Sequence, residues 1–192
     1  MLKFGRNYLL KVKIGHIEGT NKVFDEEFNI AYPLTINFQI SRAQWSNFNS
    51  AHFELFNLNP TTRAKLYKDR YSFSKVIRVE FYAGYGEELK NLPLCYAGDV
   101  YECFSNKTGD DPNIKTQIRC MTGVFSHKLC KSNRVFAKDT QPLEIIQTLC
   151  NDAGMQLGNA DSEIIKSLEP RIEDRAFVGN TLEELKKYVD GN

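Results

Sequence analysis

The sequence predicts a mainly β protein: an antiparallel β-barrel with a short inserted helix, followed by a smaller α+β segment. Three observations carry that expectation. Between Leu10 and Cys120, apolar and polar residues alternate in short runs, the period of half-buried strands. Clusters of Gly, Asn, Asp and Pro separate those runs, and few segments between them have a helical period. After Gly123 the pattern changes to capped, amphipathic helices. Six or seven strands joined by turns, with few helices, indicate a barrel or sandwich.

In chain order, Leu10, Val12 and Ile14 alternate with Lys11 and Lys13. Leu34, Ile36, Phe38 and Ile40 then face one side while Thr35, Asn37 and Gln39 face the other. A polar, mixed stretch runs from Ser41 to Ser50. The segment FELFNLNPTTRAKLY (Phe53 to Tyr67) joins a strand to a helix at Asn59-Pro60. Asn59 can cap that helix, and Pro60 suits its first turn because φ is preset and no N–H is wasted. A helix of about two turns does not persist alone in water, so it must pack on something. Ala64, Leu66 and Tyr67 are expected to pack against the barrel, with Arg63, Lys65 and Lys68 left in solvent.

Next, Ile77, Val79 and Phe81 oppose Val76, Arg78, Glu80 and Tyr82, and the run breaks at Gly84 to Gly86. PLCYAGDVYECF is a further strand, bent or bulged at Gly98. NKTGDDPN forms a loop, and Ile114, Thr116, Ile118 and Cys120 alternate along the following strand. Beyond a boundary near residue 125, DTQPLEIIQTLCNDAG is a helix with Thr140 as candidate N-cap, Pro142 early and Gly154 as stop. Its apolar face comprises Leu143, Ile146, Leu149, Cys150 and Ala153. The last helix has a capping-box pattern, Thr181 with Glu184, cations Lys186 and Lys187 in its last turns, and Gly191 as stop. The expected domains are therefore 1–125, the barrel, and 126–192, the α+β segment.

Composition limits the function classes. With 192 residues, 42% hydrophobic and 26% charged, the chain is an ordinary globular sequence. A net charge of +1 provides no global field for nucleic acid or an anionic membrane. No run approaches the roughly 20 apolar residues of a membrane helix. The first residues read as a strand rather than a signal peptide, so folding in a cytoplasm is expected. Five cysteines without a Cys-x-x-Cys pair read as reduced core thiols.

The sequence holds few patterns that point to chemistry. His16, His52 and His127 are isolated, with no neighbouring ligand at metal spacing. GDDPN offers two adjacent carboxylates but lacks the full calcium-loop pattern, so a solvated turn is the reading. AGYGEEL lacks the third glycine of a nucleotide loop, and no nucleophile elbow or phosphate-cradling Gly-Lys-Ser/Thr loop occurs. No cofactor, metal or catalytic residue is therefore assigned. Aromatic residues make up 12% of the chain, and an exposed minority suits protein interfaces. Trp45, Phe48, Arg63, Tyr67 and Tyr85 are the candidate interface residues.

An ordered set of motifs carries a resemblance. After the PLTINFQIS strand come Asn57-Leu58-Asn59-Pro60-Thr61-Thr62-Arg63, then Ala83-Gly84-Tyr85, then Tyr96-Ala97-Gly98-Asp99, then DTQPLEIIQTLCNDAGMQLG. Over roughly residues 7 to 158 this resembles the baseplate hub proteins of tailed phages, a family shared with contractile injection systems and type VI secretion spikes. The resemblance implies a hub-type barrel and a structural, non-enzymatic virion protein that joins the tail tube to the central spike. It implies a homotrimer whose partners are the tube or tube-initiator protein, the spike protein and the tape-measure protein, with no membrane and no specific nucleic acid. It places the protein at the tail tip of the virion, assembled in the host cytoplasm. Hubs of this type continue into a second barrel after FVGNTLEELKKYV, so 126–192 is expected to be a partial second hub domain. The alternative function is a soluble β-barrel binding module for carbohydrate or single-stranded nucleic acid. That module would want a basic groove with exposed aromatics, and the near-zero net charge is unfavourable to it.

Overall fold

The computed structural model describes residues 6–18, 21–42, 48–72, 74–85, 88–109, 111–124, 130–155, 157–170 and 173–190. The chain divides into two units, Met1–Val124 and Phe125–Asn192. The first contains strands β1 (Arg6–Glu18), β2 (Asn21–Ala31), β3 (Ile36–Ser41), β4 (Ser50–Phe56), β5 (Lys75–Tyr85), β6 (Leu94–Asn106) and β7 (Lys115–Met121). Helix α1 (Pro60–Leu66) connects β4 to β5, and a single 3-10 turn at Leu89–Asn91 lies between β5 and β6. All seven strands form one antiparallel sheet in the order β2-β1-β5-β6-β7-β4-β3.

That order makes the sheet roll up. β2 and β3 are its two outermost strands, yet only Tyr32–Thr35 connects them. In a flat seven-stranded sheet the edges would stand roughly 29 Å apart. The link from Ala31 to Ile36 can span at most about 18 Å. The sheet therefore curls, and the inward residues of each strand meet in one core. Leu10, Val12, Phe53, Leu55, Ile77, Val79, Phe81 and Ile118 are fully buried there. The Phe53 and Phe81 rings lie 5.1 Å apart at its centre.

The mainly β, antiparallel character agrees with the sequence reading; closure of the barrel does not. Among the described residues no ladder joins β2 to β3. Three backbone groups of the link are already used elsewhere. Leu34 N donates to Ala31 O at 3.2 Å, and Phe56 N donates to Thr35 O at 3.2 Å, which commits the start of β3 to β4. The Tyr8 hydroxyl donates to Leu34 O and ties the link to β1. A seam remains along the outer edge of β3.

Strand β2 has no counterpart in the sequence reading, because the acidic run Asp25-Glu26-Glu27 hides its alternation. Its register on β1 shifts between Ile14 and Gly15. A Cβ on Gly15 would stand 1.8 Å from Val23 O, so this bulge requires glycine. The acids have local partners: Asp25 lies 2.9 Å from His16 Nδ1, and Glu26 pairs with Lys65 of α1 at 2.5 Å.

The strand-to-helix junction works as the sequence suggests, with one addition. Asn59 Oδ1 accepts from Thr62 N at 2.6 Å, and Pro60 opens the helix. Two residues earlier, Asn57 adopts φ +56°. Its backbone N–H donates to Ile114 O at 2.9 Å and its Oδ1 accepts from Ile114 N at 3.0 Å, so the turn is stitched to the entry of β7. Leu58 and Leu66 are the residues that enter the core. Ala64 and Tyr67 are exposed, contrary to expectation, and Lys68 is buried. The reason is that Lys68 leaves the helix as a bridge to β6, its N–H and C=O paired with Cys103. Its Nζ donates to the carbonyls of Ser72 and Lys75. Burial, and then the nearby Lys75 charge, pull the Lys68 pKa below the usual lysine value. Lys75 in turn donates to the Tyr67 carbonyl at 2.9 Å and to that of Lys65, placing a cation on the last carbonyls of α1.

In the second unit β8 (Lys131–Phe136) and β9 (Arg175–Asn180) pair antiparallel, with helices α2 (Pro142–Asp152), α3 (Glu163–Lys166) and α4 (Thr181–Asp190). Neither strand is legible in the sequence, since each is six residues long with little alternation. Ile145, Ile146, Leu149, Cys150, Phe177 and Tyr188 form the core. The Phe177 ring stands edge-on to Phe136 at 5.5 Å and to Tyr188 at 5.6 Å. Thr140 does not cap α2: its hydroxyl donates to Ala137 O at 2.7 Å, and Gln141 occupies the cap position. Asn180, rather than Thr181, caps α4, accepting from Leu182 N and Glu183 N at 3.1 and 3.2 Å. Thr181 is instead fully buried. Gly191 lies outside the described residues. Arg134 grips Asp152 with two bonds, at 3.0 and 2.8 Å, and Ser132 adds a third at 3.2 Å. Hydrogen bonds from Arg134 hold the Asp152 carboxyl below the usual carboxylate range; burial opposes this, and the Arg134 charge and Ser132 reinforce it.

Replacing Leu66 by Ala should destabilise the first unit by about 2–5 kcal/mol, and Asn59→Ala by about 1 kcal/mol, both read by urea unfolding monitored by circular dichroism. The depressed Asp152 pKa stabilises the second unit fully above the unfolded carboxylate value of about 4, and that contribution is lost as pH falls through the lower folded value. Asp152→Asn should lower the melting temperature at pH 7 and flatten its dependence on pH below about 4.

Candidate assembly surface

The motifs that the sequence sets apart are, first of all, packing devices. On β6 the Tyr96 side chain lies along its own strand, over Gly98. A Cβ on Gly98 would stand 2.3 Å from Tyr96 Oη and 2.7 Å from Cζ, so the Tyr-x-Gly spacing is a steric requirement. Tyr96 meets Phe53 edge-on at 6.2 Å. The next residue, Asp99, points to the opposite face and is buried. Its Oδ2 accepts from Lys22 Nζ at 2.6 Å, and Arg78 stands 3.8 Å from Oδ1. The ionic row continues on β5, where Glu80 Oε1 lies 3.2 Å from Lys13 and 4.0 Å from Arg78, and Glu80 Oε2 accepts from the Tyr82 hydroxyl at 3.0 Å. Burial alone would raise the Glu80 pKa; hydrogen bonds from Lys13 and Tyr82, with the charges of Lys13 and Arg78, outweigh it and leave the carboxyl below its usual value. The Ala-Gly-Tyr end of β5 is tight for a similar reason, since a Cβ on Gly84 would lie 3.1 Å from Pro93 Cδ.

Beside that strand end the surface opens. A cleft of about 530 Å³ is lined by Arg6, Tyr8, Leu34, Ile36, Phe38 and Tyr85, among others. Phe38 is 51% exposed, yet its ring lies 4.6 Å from that of fully buried Phe81, so the core reaches solvent here. Tyr85, 66% exposed, stands on the rim. Of the other candidate interface residues, Tyr67 is 57% exposed at the end of α1, while Arg63 is half-buried on the same helix. Phe48 is half-buried with its ring against Gly123. Trp45 lies outside the described residues. The cleft gathers Tyr85 but not Arg63, Tyr67 or Phe48. It adds Arg6 and Phe38, and Phe38 was hidden from sequence reasoning because its alternation assigns it to the core. On the outer face of the sheet, Gln39, His52, Tyr101 and Arg119 line a smaller polar depression. Arg119 is held there by Glu102 at 2.7 Å and stacks over Phe104 at 5.5 Å.

The thiols are quiet. Burial pushes the Cys103 pKa up to about 12 and that of Cys120 well above the usual value. Both stay protonated at neutral pH and behave as small hydrophobes. Among the described residues no three His, Cys, Asp or Glu side chains gather as metal ligands.

Residues 10–190, spanning both units, match the family model described as baseplate hub gp41. The chain belongs to the baseplate hub gp41 family. The fold agrees with that assignment. Over 96% of its length the hub protein is similar to the crystal structure of the 43 kDa tail protein of prophage MuSo2 from Shewanella oneidensis, with a TM-score of 0.51 and 14% identity. Over 93% it is similar to a chain of the Francisella PdpA–VgrG complex, with a TM-score of 0.55 and 8% identity. It spans 47% of the first of those chains and 24% of the second. Among curated proteins none matches the sequence. Family membership makes this chain a structural component of the phage tail baseplate, in keeping with the resemblance carried by its motifs.

Gly98→Ala should destabilise the hub protein by about 1–3 kcal/mol by overpacking against Tyr96. Adding Tyr96→Phe, which removes the hydroxyl nearest the new methyl, should recover part of that loss in thermal unfolding.

Proposed function

We propose that this hub protein joins the tail tube to the central spike and organises the tail tip as a homotrimer. The observation that carries this reading is the family match over residues 10–190, which takes in both units rather than one. The architecture suits the role. A rolled antiparallel sheet with its motif strands tied by Asp99 and Glu80 is a stiff body, and stiffness is what a symmetric adaptor between two partners requires. Partners of the assembled protein would be the tube or tube-initiator protein, the spike protein and, on the lumen side, the tape-measure protein. The role involves no catalytic step. Phe48, Arg63, Tyr67 and Tyr85, with Trp45, are the residues proposed to meet them, and among the described ones Tyr67 and Tyr85 present large exposed rings. Segment 126–192 is proposed to be part of a second hub domain, and assembly is proposed to take place in the host cytoplasm.

An obligate hub interface should bury about 2,000 Å² or more. Light scattering of the purified chain, alone and mixed with its tube and spike proteins, should give three copies per complex, and cryo-electron microscopy of the tail tip should place them around the axis. Tyr67→Ala and Tyr85→Ala should leave the melting temperature within about 2 °C of the parent while reducing incorporation into tails. A chain that stays monomeric in the presence of both partners, or a tip density with another copy number, would overturn the proposal.

A further inference from the structure

The β3–β4 register fixes which backbone groups of β3 face the seam. Phe56 N donates to Thr35 O, in line with the β3–β4 register that pairs Ile36 with Leu55. In an antiparallel ladder, hydrogen-bonded residues alternate with residues whose N–H and C=O point the other way. Thr35, Asn37 and Gln39 thus exchange bonds with β4, and the backbone groups of Ile36, Phe38 and Ile40 point out of the sheet edge. No strand among the described residues pairs with them. The same edge borders the 530 Å³ cleft, whose volume lies in the range of about 300–1,000 Å³ usual for preformed binding sites.

We propose that this edge accepts an extended peptide segment of a partner protein, one carrying a large apolar side chain next to a carboxylate. The free N–H and C=O groups of Ile36, Phe38 and Ile40 require an extended occupant, since only a strand can satisfy a row of alternate residues. The cleft requires apolar side chains: Tyr8, Leu34, Ile36 and Phe38 line it, and covering half-exposed Phe38 would complete the packing begun at Phe81. Arg6 requires the carboxylate. Among the described residues it is the one charged residue lining the cleft, it is exposed, and no carboxylate pairs with it. Strand addition also accounts for a rolled sheet that remains open on one side, because the inserted segment supplies the missing ladder.

The probe is a fluorescein-labelled synthetic octapeptide that alternates threonine with valine or phenylalanine and carries one aspartate; a matched peptide carries lysine in its place. Fluorescence anisotropy with the full chain should show saturable binding, tighter for the aspartate peptide by roughly 2- to 5-fold. Arg6→Glu should reverse that preference, and Phe38→Ser should weaken both peptides on the order of 10-fold. Nitrogen-15 spectra should place the perturbed amides at Ile36, Phe38 and Ile40 and at Arg6 to Tyr8. No saturable binding, perturbation on another face, or a preference that survives Arg6→Glu would overturn the proposal. Concentration-dependent broadening of the Ile36, Phe38 and Ile40 amides without peptide would overturn it in favour of a second copy of this chain. The peptide measurement does not depend on copy number at the tail tip, so its failure leaves the hub reading standing.

Discussion

The four-residue link Tyr32–Thr35 is the constraint on which the first unit depends. It ties together the two strands that stand furthest apart in the hydrogen-bonded order of the sheet. No flat arrangement satisfies it, so curvature is imposed by chain length rather than by any single contact. Curvature then decides burial: the alternate residues of seven strands converge, and Phe53 and Phe81 find themselves at the centre. The same link explains why the roll is incomplete. Its backbone groups are engaged with Ala31, Phe56 and Tyr8, so it draws the edges together without pairing them.

Two further devices make the rolled sheet rigid. Inside, Gly98 leaves the space into which Tyr96 lies, and Gly15 lets β2 approach β1 closely at the bulge. Outside, Asp99 gathers Lys22 and Arg78 from strands far apart in sequence, and Glu80 gathers Lys13, Arg78 and Tyr82. Pairs buried to this degree stabilise little in net terms, because desolvation offsets their attraction; removing one partner is what costs. Their contribution is to fix which strand positions meet.

Helix α1 shows how local and long-range information combine. Asn59 and Pro60 specify its start by local chemistry that any reader of the sequence can follow. Its end is set by Lys75, on the next strand, which bonds to the carbonyls of Lys65 and Tyr67. Lys68 looks like a solvent residue in the sequence and is buried because two backbone carbonyls receive its ammonium group. The exposed surface was less legible for a comparable reason. Tyr85 could be singled out as an aromatic at a strand end, whereas Phe38 sits in a regular alternation that marks core. Only its place at a sheet edge leaves it half in solvent.

By itself, the sequence determined the mainly β class, the strand-to-helix junction at Asn59-Pro60 and the ordered motifs that place the chain among baseplate hubs. These are matters of short-range periodicity, capping and spacing, which neighbouring residues decide between themselves. It did not reveal β2, β8 or β9, whose acidic run or short length leaves no period to read. It also did not reveal that the barrel stays open. Whether two strands pair depends on where their edges come to lie once every other strand has been placed, and that is decided across the whole sheet. The open edge of β3, with Arg6 and Phe38 beside it, therefore belongs to the tertiary structure alone.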